Sequence, residues 1–442
     1  MNNKAPEIHL SFSGGGFRAA AFCLGVFAYL VDTKRQSSIR SITSVSGGSF
    51  LNAYLAKRLH LSSAGEDDIR RTLVSFGSRL AFNTGFTCSR AISIYRLSLA
   101  ASTILTLTTL PGLVFWLLNR DPIWGALSAL GFTSFLCLLV LLSYRNRFFV
   151  ELIDGTFSIG ANWRPVQSKN FPASDCDHII CASDLGTGYP VFFSSVGVFS
   201  VPFGYSTKAI QLREAVAISA AFPVMTKPFF FTSQDLEFKN SCNHQASLFL
   251  VDGGVINNLG TQWWDPIQGG GRPANSSSIV LVADASTRIA PWRQLRLCPF
   301  GFVRVLTRIF SLIYSNSVRP RFDFYRFNIR PHGPKYLGAA LSQDLSSLLA
   351  VYSARRAHSQ SEVLTRKLAL SCGSMKELAE RNQNIPTTIS PLGADSTIDL
   401  AYQGYLAAMV EFSSLDSEYS AVPSVEFKSW FNVEAMLKDR ES

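Results

Sequence analysis

A serine among small residues and glycines is the first place in this sequence where chemistry could occur. The segment Ser44-Val45-Ser46-Gly47-Gly48-Ser49 lies at the end of the run 39–45, which is rich in β-branched residues, and precedes the largely apolar run 50–55. A strand, a sharp turn and a helix in this order are the context of a nucleophile elbow, which holds one serine hydroxyl beyond the sheet. Small neighbours allow the tight bend. Ser46 is therefore the candidate nucleophile, and a plain serine–glycine turn is the alternative.

A glycine-rich turn, Ser13-Gly14-Gly15-Gly16-Phe17-Arg18, comes earlier in the chain. It lies between a predicted strand at 7–12 and a predicted apolar helix that ends near Asp32. Consecutive amides at a helix start can point the same way, with the helix dipole behind them. Such a loop suits a phosphate or the oxyanion of an acyl transfer. An ordinary turn is the simplest alternative, and a nucleotide-binding loop fits poorly because its glycine patterns are absent from the sequence.

Histidine and cysteine provide no competing centre. The six histidines stand in no setting typical of a catalytic base. The eight cysteines form no C-x-x-C pair, and most lie in apolar surroundings. We interpret them as reduced, buried thiols of a cytoplasmic protein, and we predict neither a metal site nor a cofactor.

The elements that would position these residues alternate between strand and helix. Strands are predicted at 178–183, 191–194, 248–251 and 279–283, and a helix at 210–221. This alternation indicates an α/β fold with a largely parallel sheet. Beyond residue 290 the sequence predicts mainly helices, including 344–370 and 399–414. The segment 299–316 is interpreted either as a helix on a membrane surface or as one packed on the sheet.

Two apolar runs, 97–118 and 123–143, contain no charged residue. At ~1.5 Å per residue each is long enough to cross the ~30 Å of bilayer hydrocarbon. Four arginines flank the pair, whereas the short tip at 119–122 carries one arginine and one aspartate. The outer flanks are therefore predicted to be cytoplasmic. The alternative is a buried pair of helices in a soluble core.

Composition also favours association with a membrane. Charged residues make up only 16% of the 442 residues and hydrophobic residues 47%, whereas soluble domains contain about 25% charged residues. A net charge of +10 favours attraction to anionic lipid. A nucleic-acid partner is not expected, because no Lys/Arg block or reader motif occurs. The apolar run 19–31 follows a glycine loop and no basic segment, so we predict a buried helix there and no secretion signal.

The order of the glycine loop, the serine elbow and Asp252-Gly253-Gly254 resembles the patatin-like phospholipase family. The first loop is also similar to that of the cytosolic group-IV phospholipase A branch. The supporting likenesses are Asp184-Leu185-x-Thr187-Gly188, Ala215…Ser219-Ala220-Ala221-Phe222-Pro223 and Gly253-Gly254-x-x-x-Asn258. Together they cover about 1–60 and 175–290. The chain departs from the family at Ser44, where glycine is usual, and in the hairpin, which is not part of the usual core.

This resemblance implies a three-layer α/β sandwich with a largely parallel central sheet, which here would be interrupted by a transmembrane hairpin. It also implies a catalytic dyad in which Ser46 is the nucleophile and Asp252 the base. The amides of Gly14, Gly15 and Gly16 would form the oxyanion hole. Arg18 would either hold the glycine loop or meet a lipid phosphate.

We therefore expect one patatin-like domain in several parts. Residues 1–96 form its first part, 97–143 the hairpin, 144–290 the second part with the catalytic aspartate, and 291–442 a mainly helical C-terminal part. The expected function is a membrane-anchored serine acyl hydrolase of glycerophospholipids, with two spans, a cytoplasmic catalytic domain and the lipid bilayer as partner. Self-association or a regulatory partner stays open. The competing hypotheses are a catalytically silent scaffold, motivated by Ser44, and an acyltransferase or neutral-lipid lipase with the same dyad.

Overall fold

The computed structural model describes the following residues: 6–82, 97–107, 109, 117–118, 122–163, 176–223, 226–238, 247–264, 278–287, 309, 312–314, 334–343, 376–413, 415 and 425–441. The strands within these ranges are β1 Ile8–Phe12, β2 Ile39–Val45, β3 Asp177–Asp184, β4 Pro190–Ser194, β5 Gly197–Ser200, β6 Gly204–Ser206, β7 Phe229–Thr232, β8 Ser247–Asp252, β9 Ile279–Asp284 and β10 Lys335–Ala340. The helices are α1 Gly16–Asp32, α2 Gly47–Arg58, α3 Glu66–Phe82, α4 Leu97–Leu107, α5 Pro122–Ser143, α6 Arg145–Phe157, α7 Leu212–Ser219, α8 Gly254–Asn257, α9 376–383, α10 Ala394–Ser413, α11 Phe427–Trp430 and α12 Val433–Glu441.

All ten strands belong to one mixed sheet, ordered β10-β9-β1-β2-β3-β4-β5-β6, with β8 paired to β3 and β7. The five strands from β10 to β3 run parallel. The pairings of β4, β5, β6, β7 and β8 are antiparallel. The α/β fold is confirmed, and its sheet is parallel at the centre and antiparallel on one side.

The junction that matters for function lies along one edge of β3. β2 pairs with β3 as far as Val45 opposite Cys181, and β8 pairs with the next residues, with Asp252 opposite Ala182. β4 occupies the other edge of β3 over the same residues. The carboxyl ends of β2 and β8 therefore meet beside each other, although they are about two hundred positions apart in the chain.

Helix α1 is the centre of the core. Every one of its residues from Gly16 to Asp32 is buried, which confirms the predicted buried helix. Its closest partner is α10, and the contact depends on two glycines. A β-carbon on Gly25 would lie 1.7 Å from the carbonyl oxygen of Ala401, and one on Gly404 would lie 2.1 Å from that of Phe22. The two backbones thus approach so closely that only glycine fits.

The opposite face of the sheet is covered differently. Val280 and Val282 of β9 pack there with Leu259 and Trp264, in the segment that follows α8. The second helical layer of the expected sandwich stays a prediction.

The expectations for the C-terminal part are tested only where its residues are described. The region after 290 contributes strand β10, which pairs parallel to β9 at the edge of the sheet, so it is not purely helical. The predicted helix 344–370 falls outside the described residues, as does most of 299–316. The predicted helix 399–414 is present as α10.

The predicted hairpin is described in part. Helix α5 is long and apolar enough to cross a membrane, and 6% of its most apolar window is buried against protein. Helix α4 is apolar but shorter, and the rest of the run 97–118 is described only at 109 and 117–118. The two segments touch: the Ser134 hydroxyl donates to the Ser102 carbonyl at 3.1 Å. Gly131 lies directly against Thr109.

Candidate active site

Ser46 occupies the turn between β2 and α2 in an unusual backbone conformation. Its φ is 49° and its ψ is −119°, a region that non-glycine residues rarely adopt. The strand ends at Val45 and the helix begins at Gly47, so the sharp turn is confined to this one residue. Such a turn directs the serine side chain away from the sheet, as in a nucleophile elbow.

Asp252 ends β8 and lies next to this turn. Its carboxylate accepts a hydrogen bond from the Gly254 amide at 2.7 Å, and the Ser46 side chain lies close enough to lower the pKa of that carboxylate. The residue is almost completely buried. Burial raises the pKa of Asp252 from 3.8 to about 7, against the lowering effect of the Ser46 side chain and the Gly254 amide. A carboxyl group with a pKa near neutrality can accept and return a proton at physiological pH.

The glycine loop lies over the elbow. A β-carbon on Gly47 would lie 2.5 Å from the Gly16 nitrogen, and one on Gly14 would lie 3.1 Å from the Ser46 β-carbon. The Gly48 amide donates to the Ser13 carbonyl at 3.1 Å. These close approaches require glycine, because any larger side chain would separate the loop from the serine turn.

The amides of the loop differ in their availability. The Gly14 amide donates to the Asn258 carbonyl at 2.9 Å, and the Phe17 amide donates to the Thr388 carbonyl at 2.8 Å. For Gly15 and Gly16 the described residues supply no acceptor. Of the three amides predicted to form an oxyanion hole, the Gly14 amide is therefore already engaged, and those of Gly15 and Gly16 are open.

Gly47 supplies a further open amide that the sequence interpretation overlooked. It is the residue after the candidate nucleophile, which commonly donates to the oxyanion in elbow enzymes. No acceptor for this amide occurs in the described ranges. The sequence signal was present, because the position follows directly from the assignment of Ser46.

Arg18 is buried beneath the glycine loop. Its guanidinium packs against Gly15 and donates to the Ile385 carbonyl at 2.8 Å. Asp284, also buried, is the neighbouring charge. Burial lowers the pKa of Arg18 to about 10 and raises that of Asp284. Of the two roles considered for Arg18, its position favours holding the loop.

Ser44, the departure from the usual glycine, lies in regular β2 between Phe12 and Ile180. Its hydroxyl accepts a hydrogen bond from the Asn52 amide group at 2.8 Å and donates to the Ile179 carbonyl at 3.3 Å. Because the conformation is extended and the hydroxyl is bonded, this position has no need of glycine. Ser44 therefore gives no structural reason to expect a silent site.

Ser219, at the end of α7, links the two halves of the site. Its hydroxyl accepts the Ser46 amide at 3.0 Å and donates to the Cys181 carbonyl at 2.6 Å. Its own carbonyl accepts a hydrogen bond from the Gly253 amide at 3.3 Å, and the Ala221 carbonyl accepts one from the Asp252 amide at 3.0 Å. The motif Ser219-Ala220-Ala221 was noticed in the sequence, but these long-range contacts could not be inferred from it.

Tyr314 is a second residue that sequence reasoning missed. Its ring packs against Phe222, with 5.7 Å between ring centroids, and against Gly254 beside the aspartate. Burial and the nearby Asp252 raise the pKa of its phenol. Nothing in the local sequence identified this tyrosine as a neighbour of the site.

The histidine and cysteine side chains of the described residues form no second catalytic centre. His178 pairs with Asn52 through Nδ1 at 2.7 Å, and His9 pairs with Ser41 at 2.7 Å. Cys23 and Cys181 are buried free thiols, and burial raises the pKa of both. No cluster of three potential metal ligands occurs among the described residues.

Comparison with known proteins gives a family and a set of similar folds. The family model for patatin-like phospholipases matches residues 10–262. Human GIVD cytosolic phospholipase A2 is similar over 99% of this chain and 61% of that one, with 12% identity and a TM-score of 0.43. The structure of its complex with methyl gamma-linolenyl fluorophosphonate is similar over 99% of this chain and 60% of that one, with 12% identity and a TM-score of 0.41. VipD from Legionella pneumophila is similar over 99% of this chain and 74% of that one, with 11% identity and a TM-score of 0.32.

The chain thus spans about three fifths of the length of the human phospholipase chains. A search of curated proteins found no match. The family model covers more than half of the chain and includes the glycine loop, the serine turn and the aspartate turn. The chain belongs to the patatin-like phospholipase family.

Proposed function

We propose that this protein is a membrane-anchored serine acyl hydrolase that cleaves fatty-acyl esters of glycerophospholipids through a Ser46–Asp252 dyad. One observation carries the proposal: a serine in a strained strand–helix turn lies beside a buried carboxylate and acts on its pKa. Membership of the patatin-like phospholipase family supports a lipid hydrolase. The dyad, the substrate class and the anchor are the further steps of the proposal.

In the first half-reaction the Ser46 oxygen attacks the ester carbonyl carbon while Asp252 takes the hydroxyl proton. The tetrahedral intermediate collapses, the ester bond to the glycerol oxygen breaks, and that oxygen receives the proton from Asp252. A lysophospholipid leaves and an acyl-serine ester remains. Water then repeats the sequence with Asp252 as base, and a fatty acid and free Ser46 are formed.

Negative charge develops on the carbonyl oxygen in both half-reactions. We assign its stabilisation to the open amides of Gly15, Gly16 and Gly47, which border the serine turn. Fixed backbone donors of this kind are each worth about 10²–10³ in rate. Arg18 acts as a positioning residue, because its guanidinium supports the loop from below.

Anchoring by a two-helix hairpin completes the proposal. Helix α5 meets the length and hydropathy of a span, and its contacts with the α4 segment support an antiparallel pair. Arg145 and Arg147 follow α5 directly, which favours a cytoplasmic catalytic domain. Residues 1–96 and 144–442 then form a single catalytic domain around the hairpin.

The test is fatty-acid release from phospholipid vesicles by the full chain. Wild type is expected to release fatty acid. The rates of Ser46→Ala and Asp252→Asn are expected to be lower by a factor of about 10³ or more. Wild-type rates in both variants would refute the dyad. Inclusion of an alcohol acceptor distinguishes hydrolysis from acyl transfer, since a transferase would form a new ester and little free acid.

A further inference from the structure

Three large apolar side chains stand exposed together at one end of the sheet. Leu185, Phe230 and Phe249, here called the apolar ridge, are exposed by 52%, 56% and 42%. Phe230 and Phe249 are direct partners across β7 and β8, and their ring centroids lie 5.3 Å apart. The Leu185 amide donates to the Phe249 carbonyl at 2.9 Å. The ridge is thus one surface feature built from three chain segments.

A buried carboxylate holds the ridge in shape. Asp184 accepts hydrogen bonds from the amides of Gly186 at 3.1 Å and Thr187 at 3.2 Å, and from the Thr187 hydroxyl at 2.7 Å. It also accepts the Phe249 amide at 2.8 Å. Four hydrogen bonds to one buried carboxylate fix the β3–β4 turn against the β7–β8 pair. This gives a physical role to the Asp184-Leu185-x-Thr187-Gly188 motif, which the dyad does not use.

The ridge lies at the carboxyl end of β3, beyond the turn that holds Ser46. Asp184 ends β3 and extends past the end of β2, whose next residue is Ser46. Phe249 precedes Asp252 by three positions on β8, a separation of about 10 Å along an extended strand. The backbone of the ridge is thus close to the dyad along β3 and β8.

The ridge also follows closely on the end of the apolar helix α5. Asn146, just beyond α5, forms two hydrogen bonds with the backbone of Lys227, at 3.0 and 2.9 Å. Phe230 lies three positions after Lys227, within about 10 Å of extended chain. The ridge is therefore connected through Asn146 and Lys227 to the end of the proposed membrane span, and Arg145, Arg147 and Lys227 are within three positions of these joined segments in the chain.

Exposed apolar side chains also occur near the dyad on a separate segment. Leu312 and Ile313 are each 39% exposed, and the adjacent Tyr314 packs against Gly254. Exposed apolar groups near the dyad thus include a chain segment that is separate from the three segments of the ridge.

We propose that the apolar ridge inserts into the surface of a phospholipid bilayer and holds the entrance of the Ser46 site against the lipid. This inference rests on the proposed hydrolase function and adds the surface by which the site meets its substrate. Aromatic and aliphatic groups gain free energy when they enter the acyl region, and the neighbouring cations attract anionic headgroups. The span tethers the domain, and the ridge orients it.

The first experiment compares two substrates for one double variant of the full chain. Phe230→Ser/Phe249→Ser is reconstituted in phosphatidylcholine vesicles that contain some phosphatidylglycerol. Hydrolysis of vesicle lipid is expected to fall about tenfold or more, while hydrolysis of a soluble short-chain ester stays within about twofold. The matched control is Val196→Ser/Tyr205→Ser, an exposed pair at the opposite end of the same sheet. An unchanged vesicle rate, or an equal loss on both substrates, would overturn the inference.

The second experiment does not depend on activity, so it separates failure of the ridge from failure of the proposed function. Phe230→Trp and Tyr205→Trp are placed in vesicles whose acyl chains carry bromine, which quenches tryptophan by contact. Additional quenching relative to the parent protein is expected for Phe230→Trp and not for Tyr205→Trp. Equal quenching in the two variants contradicts bilayer insertion. A ridge that is unquenched but alters the oligomeric state when mutated would instead be a contact between copies.

Discussion

Replacement of Asp252 by asparagine should stabilise the protein while it abolishes hydrolysis, and the stabilisation should grow with pH. The side chain is buried, and its pKa is raised from 3.8 to about 7 by that burial. Native protein therefore holds this proton more tightly than unfolded protein does. As pH rises from 3.8 through 7, the native state loses stability, because the charge is increasingly disfavoured in its buried position.

The size of the effect follows from the two pKa values. The difference between 3.8 and about 7 corresponds to about 4 kcal/mol once the group is ionised in both states. Between pH 5 and pH 8 the free energy of unfolding of wild type should fall by about 2–3 kcal/mol relative to Asp252→Asn. Asparagine can still accept from the Gly254 amide, so the fold of the turn is expected to persist.

The assay is thermal or denaturant unfolding of both proteins in one detergent across pH 5–8. Only the difference between them matters, since all other groups titrate in both. Asp67→Asn, which alters a carboxylate that is 90% exposed on α3, is the matched control for loss of a charge. A difference between wild type and Asp252→Asn that stays constant from pH 5 to pH 8 would refute the reasoning.

Four further predictions concern the dyad, its surroundings and the membrane span. Wild-type hydrolysis should rise with pH to a plateau with its midpoint near pH 7, because only ionised Asp252 accepts the serine proton; a flat profile would contradict this role. Ser219→Ala removes the hydroxyl that accepts the Ser46 amide, so kcat/KM should fall about tenfold to hundredfold. Ser200 is a buried serine on β5, and the control variant Ser200→Ala should change kcat/KM little. Gly16→Ala should impair folding and activity, because φ is +61° at this position and the new β-carbon would lie 2.3 Å from the Thr388 carbonyl oxygen. Gly155→Ala on α6, where the space is open, is the control and should be tolerated. Equal stability and activity of the two variants would disprove the close contact. The chain should stay in the membrane fraction after alkaline carbonate extraction, and full release would exclude a spanning hairpin.

Local patterns in the sequence were sufficient to predict the first part of the fold. The strand at 39–45 and the buried helix that ends at Asp32 agree with the structure, because glycines and apolar runs mark their limits. The turn at Ser46 was likewise evident from its small residues. These features depend on neighbours within a few positions, so one sequence is enough to reveal them.

The features that could not be predicted depend on hydrogen bonds and strand pairing between distant parts of the chain. The Gly14 amide is engaged by Asn258, and the Ser46 amide by Ser219. Each pair is far apart in the chain, and nothing in either segment alone indicates the other. Strand β10 was missed for a similar reason, since its short run 335–340 is stabilised by β9 at the sheet edge and by α10 rather than by a strong pattern of its own.

The most direct measurement of the central claim is covalent labelling of the full chain with a lipid-like fluorophosphonate, followed by peptide mass spectrometry. The reagent phosphonylates an activated serine and remains attached, so no turnover is needed. We expect one adduct, on Ser46, whose formation is lost in Ser46→Ala and strongly slowed in Asp252→Asn. Labelling at a different residue, or no label at Ser46 in protein that hydrolyses phospholipid, would contradict the assignment of Ser46 as nucleophile.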